Sequence, residues 1–192
     1  MHPTILASSS PRRRELLTLI GIPHRVRPAD IDESVLPGED PNAHALRLAR
    51  EKADVVAREH PSELVIAADT IVVLDDHILG KPRSDDEAVE MLGRLSGRTH
   101  TVVTGMACSL EGRIASCVET VSVTFRDLSD TEIVKYVETR EPMDKAGAYG
   151  IQGYGATIVR RIDGDYFAVM GLSLVRLVDL MKEVGVIYDF PR

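Results

Sequence analysis

The sequence contains few cysteines, no long hydrophobic run and no excess of positive charge. Its two cysteines, Cys108 and Cys117, form no CxxC pair and its six histidines are scattered, so neither a disulfide framework nor a His/Cys zinc site is expected. No run of about eighteen apolar residues occurs, and the first residues do not resemble a signal peptide. The 30 acidic residues outnumber the 23 Lys and Arg, giving a net charge of -7, which argues against charge-driven binding to nucleic acid or an anionic membrane. We therefore expect a cytoplasmic protein that binds neither nucleic acid nor membrane.

The composition is that of a globular protein with a buried core. Of the 192 residues, 44% are hydrophobic and 28% are charged, values far from those of disordered chains. Helical patterns alternate with short apolar runs and hairpin signals, and no repeat or Pro/Gly-rich linker divides the chain. These features predict a single α/β domain over residues 1–192 with a mixed sheet.

Capping residues predict where helices begin. Ser10 followed by Pro11 fits the start of a helix that Gly21 ends, and Asp40-Pro41 fits the start of a helix reaching about Glu59. Capping boxes predict helices over 84–95 and 129–137, and a last helix is expected over about 173–183.

Apolar, β-branched runs predict the strands and hairpins. A buried strand is expected over 4–7, and another over 64–74 that the polar pair Asp69-Thr70 interrupts. Three hairpins are expected, turned at Asp75-Asp76, at Glu111-Gly112 between 101–110 and 113–125, and at Asp163-Gly164 between 156–162 and 166–170.

Three consecutive arginines, Arg12 to Arg14, lie in the first turn of the first predicted helix. Positive charge is unfavourable there because of the helix macrodipole. The free backbone N–H groups, the hydroxyls of Ser8 to Ser10 and the guanidiniums together could cradle a polyphosphate. The alternatives are a solvated basic turn and a nucleic-acid patch, and the second lacks interleaved aromatic residues.

Asp69 is the best candidate for a general base. It lies inside an otherwise apolar stretch, where an ionised carboxylate is costly unless it is paired, bound to a metal or at a cleft. Upstream, Asp30, Asp32 and Glu33 form an acidic cluster that with Asp69 could hold Mg²⁺ or Mn²⁺ through oxygen ligands. The alternatives are an aspartate that accepts backbone hydrogen bonds at a turn or strand end, and an ordinary acidic loop.

Two lysines and a glycine-rich segment could contact a phosphorylated ligand. Gly80-Lys81-Pro82 is not a Walker A motif, because the earlier glycine is missing and proline replaces Ser or Thr. Lys81 and Lys52 could still be directed at phosphate, or could be surface lysines. The segment 145–153 contains three glycines and Gln152, which suits either close approach to a nucleotide base or a plain turn-rich loop. Together these residues favour metal-assisted chemistry on a small phosphorylated molecule.

Motifs along nearly the whole chain resemble those of the Maf family of nucleoside triphosphate pyrophosphatases. In order, they are LASSSPRRRELL over 6–17, Ile31-Asp32-Glu33, AREKA over 49–53, Ala68-Asp69-Thr70, Gly80-Lys81-Pro82, Leu95-Ser96-Gly97 and KAGAYGIQG over 145–153.

The resemblance implies a fold and an activity. The fold would be α/β, a mixed elongated sheet flanked by helices with two lobes around a cleft, similar to that of inosine triphosphate pyrophosphatases. The activity would be cleavage of a nucleoside triphosphate to the monophosphate and pyrophosphate, with a divalent metal cation, in a homodimer. By the family's pattern Asp69 accepts the proton, while Arg12, Thr70 and Gln152 are tied to base selectivity.

The remaining polar positions that line the family's cleft match Ser8, Arg13, Glu33, Lys52 and Lys81. From the resemblance and the chemistry together, Lys52 and Lys81 are expected to act in catalysis with Asp69. Glu33 and Asp69 are the expected metal ligands, and Ser8 and Arg13 are expected to bind the substrate.

The resemblance also implies a substrate. Thr70 after Ala68-Asp69, with Gln152 in the later motif, resembles the branch that hydrolyses dTTP and UTP, whereas the 7-methyl-GTP branch has Gln and Glu at those two positions. The implied role is housecleaning of nucleotide pools. The alternatives are the same chemistry on 7-methyl-GTP or CTP, and a nucleotide-binding regulator of septum formation.

Overall fold

The structure is a computed structural model that describes residues 2–190, and its framework is a mixed sheet of seven strands. The strands are β1 (Thr4–Leu6), β2 (Arg25–Val26), β3 (Leu64–Leu74), β4 (His77–Leu79), β5 (Thr99–Leu110), β6 (Arg113–Phe125) and β7 (Val159–Asp163). The strand order is β2-β1-β3-β5-β6-β7, and β4 pairs with β3. β1 is parallel to β2 and β3, whereas the β3–β4 and β6–β7 pairs are antiparallel. The predicted α/β class with a mixed sheet is therefore confirmed.

Six α-helices accompany the sheet within the part of the chain that the structure describes. They are α1 (Pro11–Leu19), α2 (Pro41–Glu59), α3 (Asp85–Leu95), α4 (Asp130–Glu138), α5 (Tyr166–Met170) and α6 (Leu174–Glu183), and short 3₁₀ turns cover Glu141–Asp144, Ala146–Ala148 and Gly153–Thr157. All except α5 lie where the sequence predicts them. None of the helices formed within residues 2–190 has the length and hydrophobicity needed to span a bilayer.

One of the two predicted capping boxes is only half formed. At α4, Ser129 Oγ accepts from the Glu132 amide, and the Glu132 carboxylate accepts from the Ser129 amide in return. At α3, Ser84 Oγ accepts from the Glu87 amide, but the Glu87 carboxylate accepts from the Arg83 amide and guanidinium instead. The helix start is correct in both cases because the serine bond alone satisfies a first-turn N–H.

The third predicted hairpin is wrong. β7 pairs with β6, with Ile162 opposite Val123, and the segment Tyr166–Met170 forms α5 instead of a return strand. Asp165 Oδ1 accepts from the Phe167 amide at 2.8 Å, which satisfies an N–H of the first turn. A short apolar run has no periodicity by which a strand and a helix can be distinguished.

The described chain divides into two compact units. Unit 1 contains residues 2–69, 104–119 and 171–190. Its apolar core includes Ile5 of β1 and Val65 of β3 packed with Ala49 and Ala53 of α2. These small α2 residues allow the helix to lie close to the strands, and Lys52 directly precedes Ala53 in the sequence.

Unit 2 contains residues 70–103 and 120–170. α3 and α4 pack against each other and against 3₁₀ turns of this unit. Phe125, Tyr149 and His100 lie together in its core with their rings edge to face, the His100 ring centroid being 4.9 Å from that of Phe125 and 5.3 Å from that of Tyr149.

Candidate functional site

Strand β3 carries Asp69 and Thr70 side by side. The strand runs without a break from Leu64 to Leu74, so the polar pair lies within it and does not interrupt it, contrary to the sequence prediction. Asp69 is only 8% exposed, and Thr70 is half-buried. Asp69 belongs to unit 1 and Thr70 to unit 2. A carboxylate as buried as that of Asp69 requires a partner.

That partner is Lys52 on α2. Lys52 Nζ lies 2.7 Å from Asp69 Oδ1 and 2.6 Å from Glu33 Oε1. The side chains of Lys52 and Asp69 are 10% and 11% exposed, against 57% for that of Glu33. The buried Lys52–Asp69 pair therefore compensates its own charges, and Glu33 adds a second carboxylate from the solvent side. The structure thus brings three of the predicted site residues together.

Arg13 fixes the backbone immediately before Asp69. Its Nη1 donates to Ala68 O at 2.8 Å and to Ser8 Oγ at 3.0 Å, and its Nε donates to Gly171 O at 2.8 Å. Burial lowers the pKa of Arg13 and the nearby Asp69 opposes this shift, but a guanidinium remains charged at neutral pH. The Arg13 guanidinium therefore holds Ser8 and the Asp69 strand in one arrangement.

The N-terminus of α1 is positively charged, as predicted. Ser10 is the N-cap, with its Oγ 3.5 Å from the Arg13 amide, and no acidic residue lies in the first turn. Arg12 is half-buried and Arg14 is exposed. Ser8 Oγ also accepts from the Ser10 amide at 3.2 Å. Within residues 2–190, both hydrogen bonds of the Ser8 side chain are accepted by its oxygen, so its hydroxyl hydrogen remains available to donate.

Glu33 lies in an irregular segment, residues 27–40, that Arg47 of α2 anchors. Arg47 Nε and Nη2 donate to the two carboxylate oxygens of Glu39 at 2.6 and 2.8 Å. Arg47 Nη2 also donates to Ser34 O at 3.0 Å. The hydrogen bonds from Arg47 hold the pKa of the Glu39 carboxyl well below its usual range. This clamp restrains the residue that follows Glu33.

Glu33 and Asp69 supply the kind of oxygen ligand that Mg²⁺ or Mn²⁺ takes. The wider acidic cluster is not formed: nowhere in residues 2–190 are three or more His, Cys, Asp or Glu side chains arranged to hold a metal. Asp32 Oδ1 instead accepts from the Ser34 amide at 2.9 Å. Mg²⁺ is commonly held by one or two carboxylates together with substrate phosphates. The two carboxylates that meet at Lys52 therefore fit a cation that is held jointly with a triphosphate.

The predicted residues Lys81 and Gln152 belong to unit 2, and both are exposed. The Gly147 amide donates to Gly80 O at 3.0 Å. The residue before Lys81 is therefore joined through the backbone to the glycine-rich segment that contains Gln152.

Arg47, Glu39 and Glu141 are functional candidates that the sequence motifs do not predict. Glu141 Oε1 accepts from Tyr136 Oη and from the Gly155 amide, each at 2.8 Å. No local sequence pattern distinguishes Glu39 or Glu141 from other acidic residues near a helix or a turn. The partners of Glu39 and Glu141 lie up to fourteen residues away, so no helical or strand spacing connects them.

The chain is similar to curated proteins over nearly its whole length. The protein named dTTP/UTP pyrophosphatase from Aquifex aeolicus is 47% identical over 183 residues, which is 95% of this chain and 96% of that protein. The protein of the same name from Koribacter versatilis is 50% identical over 184 residues, or 95% of each chain.

A solved structure shares the fold. The Ham1 protein of Staphylococcus aureus superposes with a TM-score of 0.50 at 18% identity, covering 82% of this chain and 79% of that one. The family model described as Maf-like protein matches residues 3–184. This chain therefore belongs to the Maf-like protein family.

Proposed function

We propose that this protein hydrolyses dTTP and UTP, and modified pyrimidine nucleotides, to the monophosphate and pyrophosphate. The observation that carries the proposal is the identity of 47% and 50%, over 95% of the chain, with two proteins named dTTP/UTP pyrophosphatase. The buried carboxylate and the cations around it supply suitable chemistry. The proposed role in the cell is housecleaning of nucleotide pools.

Asp69 is the proposed general base. It accepts a proton from a water molecule whose oxygen forms a bond to the α-phosphorus. The bond from that phosphorus to the bridging oxygen breaks, and pyrophosphate leaves with the electron pair. Lys52, 2.7 Å from Asp69, compensates the carboxylate charge in a site that is largely shielded from water. General-base catalysis contributes about 10² to 10⁴ in rate, so electrostatic stabilisation of the phosphates must supply most of the acceleration.

Glu33 and Asp69 are the proposed ligands of Mg²⁺ or Mn²⁺. When bound, the cation neutralises charge on the phosphate oxygens. Glu33 is the more exposed of the two carboxylates, and the Arg47–Glu39 clamp keeps its segment in place. Lys52 keeps both carboxylates close to one another before the nucleotide binds.

The phosphate chain is the proposed ligand of Ser8, Arg13 and Lys81. Ser8 can donate its hydroxyl hydrogen to a phosphate oxygen while its own oxygen accepts from Arg13 and Ser10. Arg13 holds Ser8 close to the strand that carries Asp69, because its guanidinium donates to both Ser8 Oγ and Ala68 O. Its positive charge favours an anionic ligand. Lys81 would stabilise the negative charge that develops on the pyrophosphate.

The base is the proposed ligand of Gln152, with Arg12 and Thr70 also contributing to selectivity. An amide both donates and accepts. It can therefore donate to a carbonyl of uracil or thymine and accept from the neighbouring ring N–H. A site built to pair with these groups discriminates strongly against a base that leaves one of them unpaired.

The proposed assembly is a homodimer, which follows from the family resemblance. The proposed location is the cytoplasm, which is the expectation from the composition of the sequence.

The proposal is tested by measuring pyrophosphate release from dTTP, UTP, CTP, GTP, 7-methyl-GTP and ITP. Each nucleotide is supplied with Mg²⁺, with Mn²⁺ or with a chelator. We expect dTTP and UTP to be preferred and the chelator to abolish turnover. Preference for 7-methyl-GTP or CTP would overturn the assignment of substrate. Turnover in the presence of chelator would overturn the proposed requirement for a divalent metal. The absence of turnover on every nucleotide would favour a nucleotide-binding regulator of septum formation.

A further inference from the structure

The Gln152 side chain is exposed, and among residues 2–190 it has no hydrogen-bond partner. Its position is therefore set by the backbone of the loop that carries it, residues 150–155. What fixes that loop determines how well Gln152 can select a base.

The Glu141 carboxylate accepts hydrogen bonds from the backbone of this loop. Its Oε2 accepts from the Tyr154 amide at 2.8 Å, and its Oε1 accepts from the Gly155 amide at the same distance. Tyr136 Oη donates to Glu141 Oε1 at 2.8 Å and accepts from the Gly150 amide at 3.1 Å. Glu141 thus reaches both ends of the loop, directly at one end and through Tyr136 at the other.

The glycines of the loop permit this close approach. Gly153 has a φ of +62°, and a Cβ at this position would overlap Glu141 Oε2. A Cβ on Gly155 would overlap the carbonyl oxygen of Gly150. The backbone on both sides of Gln152 is therefore folded tightly against itself and against the carboxylate.

The requirement is specifically for a carboxylate at position 141. The carboxylate receives two backbone N–H groups and one hydroxyl, all acting as donors. Burial raises the pKa of Tyr136, so its hydroxyl remains protonated and able to donate. An amide of the same shape would turn an NH₂ group toward one of these donors, and a hydrogen bond would be lost.

A different residue, Lys145, holds the turn Glu141–Asp144. Lys145 Nζ donates to the backbone carbonyl of Glu141 and to Asp144 Oδ1, each at 2.5 Å. The turn over Glu141–Asp144 therefore keeps its shape if only the Glu141 carboxylate is changed.

We propose that Glu141 is a positioning residue for base selection. It acts by holding the 150–155 loop, which carries Gln152. This inference rests on the proposed function, because Gln152 is the residue proposed to read the base. In this role Glu141 acts through its hydrogen bonds to Tyr136, Tyr154 and Gly155, and not through direct contact with the substrate.

The test compares Glu141→Gln with the wild-type protein and with Glu138→Gln, a matched control at an exposed carboxylate of α4. kcat and KM are measured for UTP and 7-methyl-GTP, together with the inhibition constant of tripolyphosphate, which carries the phosphates without a base. We expect Glu141→Gln to lower the UTP preference in kcat/KM about 10-fold, mainly through a higher KM for UTP. The kcat for UTP and the tripolyphosphate constant should change less than about 3-fold, and Glu138→Gln should resemble the wild type.

Tyr136→Phe is a second variant that removes only the hydroxyl linking Glu141 to Gly150. It should shift base preference in the same direction, and it decides the question if Glu141→Gln does not fold. If the wild type prefers UTP but both folded variants keep that preference, or if tripolyphosphate inhibition weakens as much as UTP binding, the role of Glu141 is wrong. A wild type that hydrolyses neither dTTP nor UTP would instead overturn the proposed function, and the role of Glu141 with it.

Discussion

Asp69 illustrates how single residues balance charge and burial in this protein. The cost of removing its carboxylate from water is offset by Lys52 Nζ at 2.7 Å, and Lys52 has Glu33 as a second partner at 2.6 Å. Removing one member of a buried ion pair usually destabilises a protein because the other charge is left alone. Here the loss of the Asp69 charge would still leave Lys52 paired with Glu33. The chemical role of Asp69 can therefore be separated from its structural role.

Asp69→Asn should lower kcat for UTP by about 10² to 10⁴, because an amide cannot accept the proton of the attacking water. KM at saturating Mg²⁺ should change much less, and the protein should remain folded. Steady-state pyrophosphate release gives both constants. The matched control is Asp54→Asn on α2, an exposed carboxylate that pairs with Arg58. A wild-type kcat in Asp69→Asn would show that another group is the base.

At the scale of secondary structure, α2 organises the unit 1 part of the site. Its two ends were predictable, since Asp40 caps the first turn through the Asn42 and Ala43 amides at 3.0 and 3.1 Å. Its functional contacts were not. Lys52 reaches Asp69, and Arg47 on the same helix reaches Glu39. One helix thus holds both the strand carboxylate and the segment that carries Glu33.

Arg47→Gln should weaken metal activation by about 10-fold, because residues that position a metal ligand affect metal affinity on this scale. Gln cannot make the bidentate contact with Glu39, so the segment carrying Glu33 becomes less restrained. The half-saturating Mg²⁺ concentration for UTP hydrolysis should rise while kcat at saturating Mg²⁺ changes little. Arg50→Gln, an exposed arginine on α2, is the control. Equal Mg²⁺ dependence in the two variants would contradict the role of the Arg47–Glu39 contact in positioning Glu33.

At the scale of the whole molecule, each unit has its own core, and that of unit 2 contains a titratable group. His100 is 3% exposed, and its Nε2 lies 2.8 Å from Tyr149 Oη. Its Nδ1 is buried and has no hydrogen-bond partner among the described residues. Burial lowers the pKa of His100 to about 4. The stability of the protein should therefore depend on pH through this residue.

The unfolded chain protonates His100 near pH ~6.5, whereas the folded protein does so only near pH 4. The unfolded state then binds more protons between these values, so the free energy of unfolding falls as the pH falls from about 6.5 to about 4. The contribution of His100 to this loss is roughly 3 kcal/mol. His100→Gln should flatten this part of the profile, measured by urea unfolding from pH 4 to pH 7, whereas the exposed His77→Gln should not. Parallel profiles for wild type and His100→Gln would contradict the prediction.

The mixed α/β class, the family and the helix starts other than that of α5 follow from the amino-acid sequence alone. Capping by Ser10, Asp40 and Ser129 acts within one turn of helix, so it can be recognised from a few neighbouring residues. The short apolar run Tyr166–Met170 has no periodicity that distinguishes a helix from a strand, and the prediction of a strand there was wrong.

Which charged groups contact one another depends on the three-dimensional packing of the chain. Lys52 and Asp69 are 17 residues apart, and the donors that reach Glu141 come from both sides of it in the sequence. The cap of a helix is set by the geometry of one turn, whereas these pairings depend on how a helix, a strand and a loop pack within a whole unit. The identity of the polar residues could therefore be read from the sequence, but their partners could not.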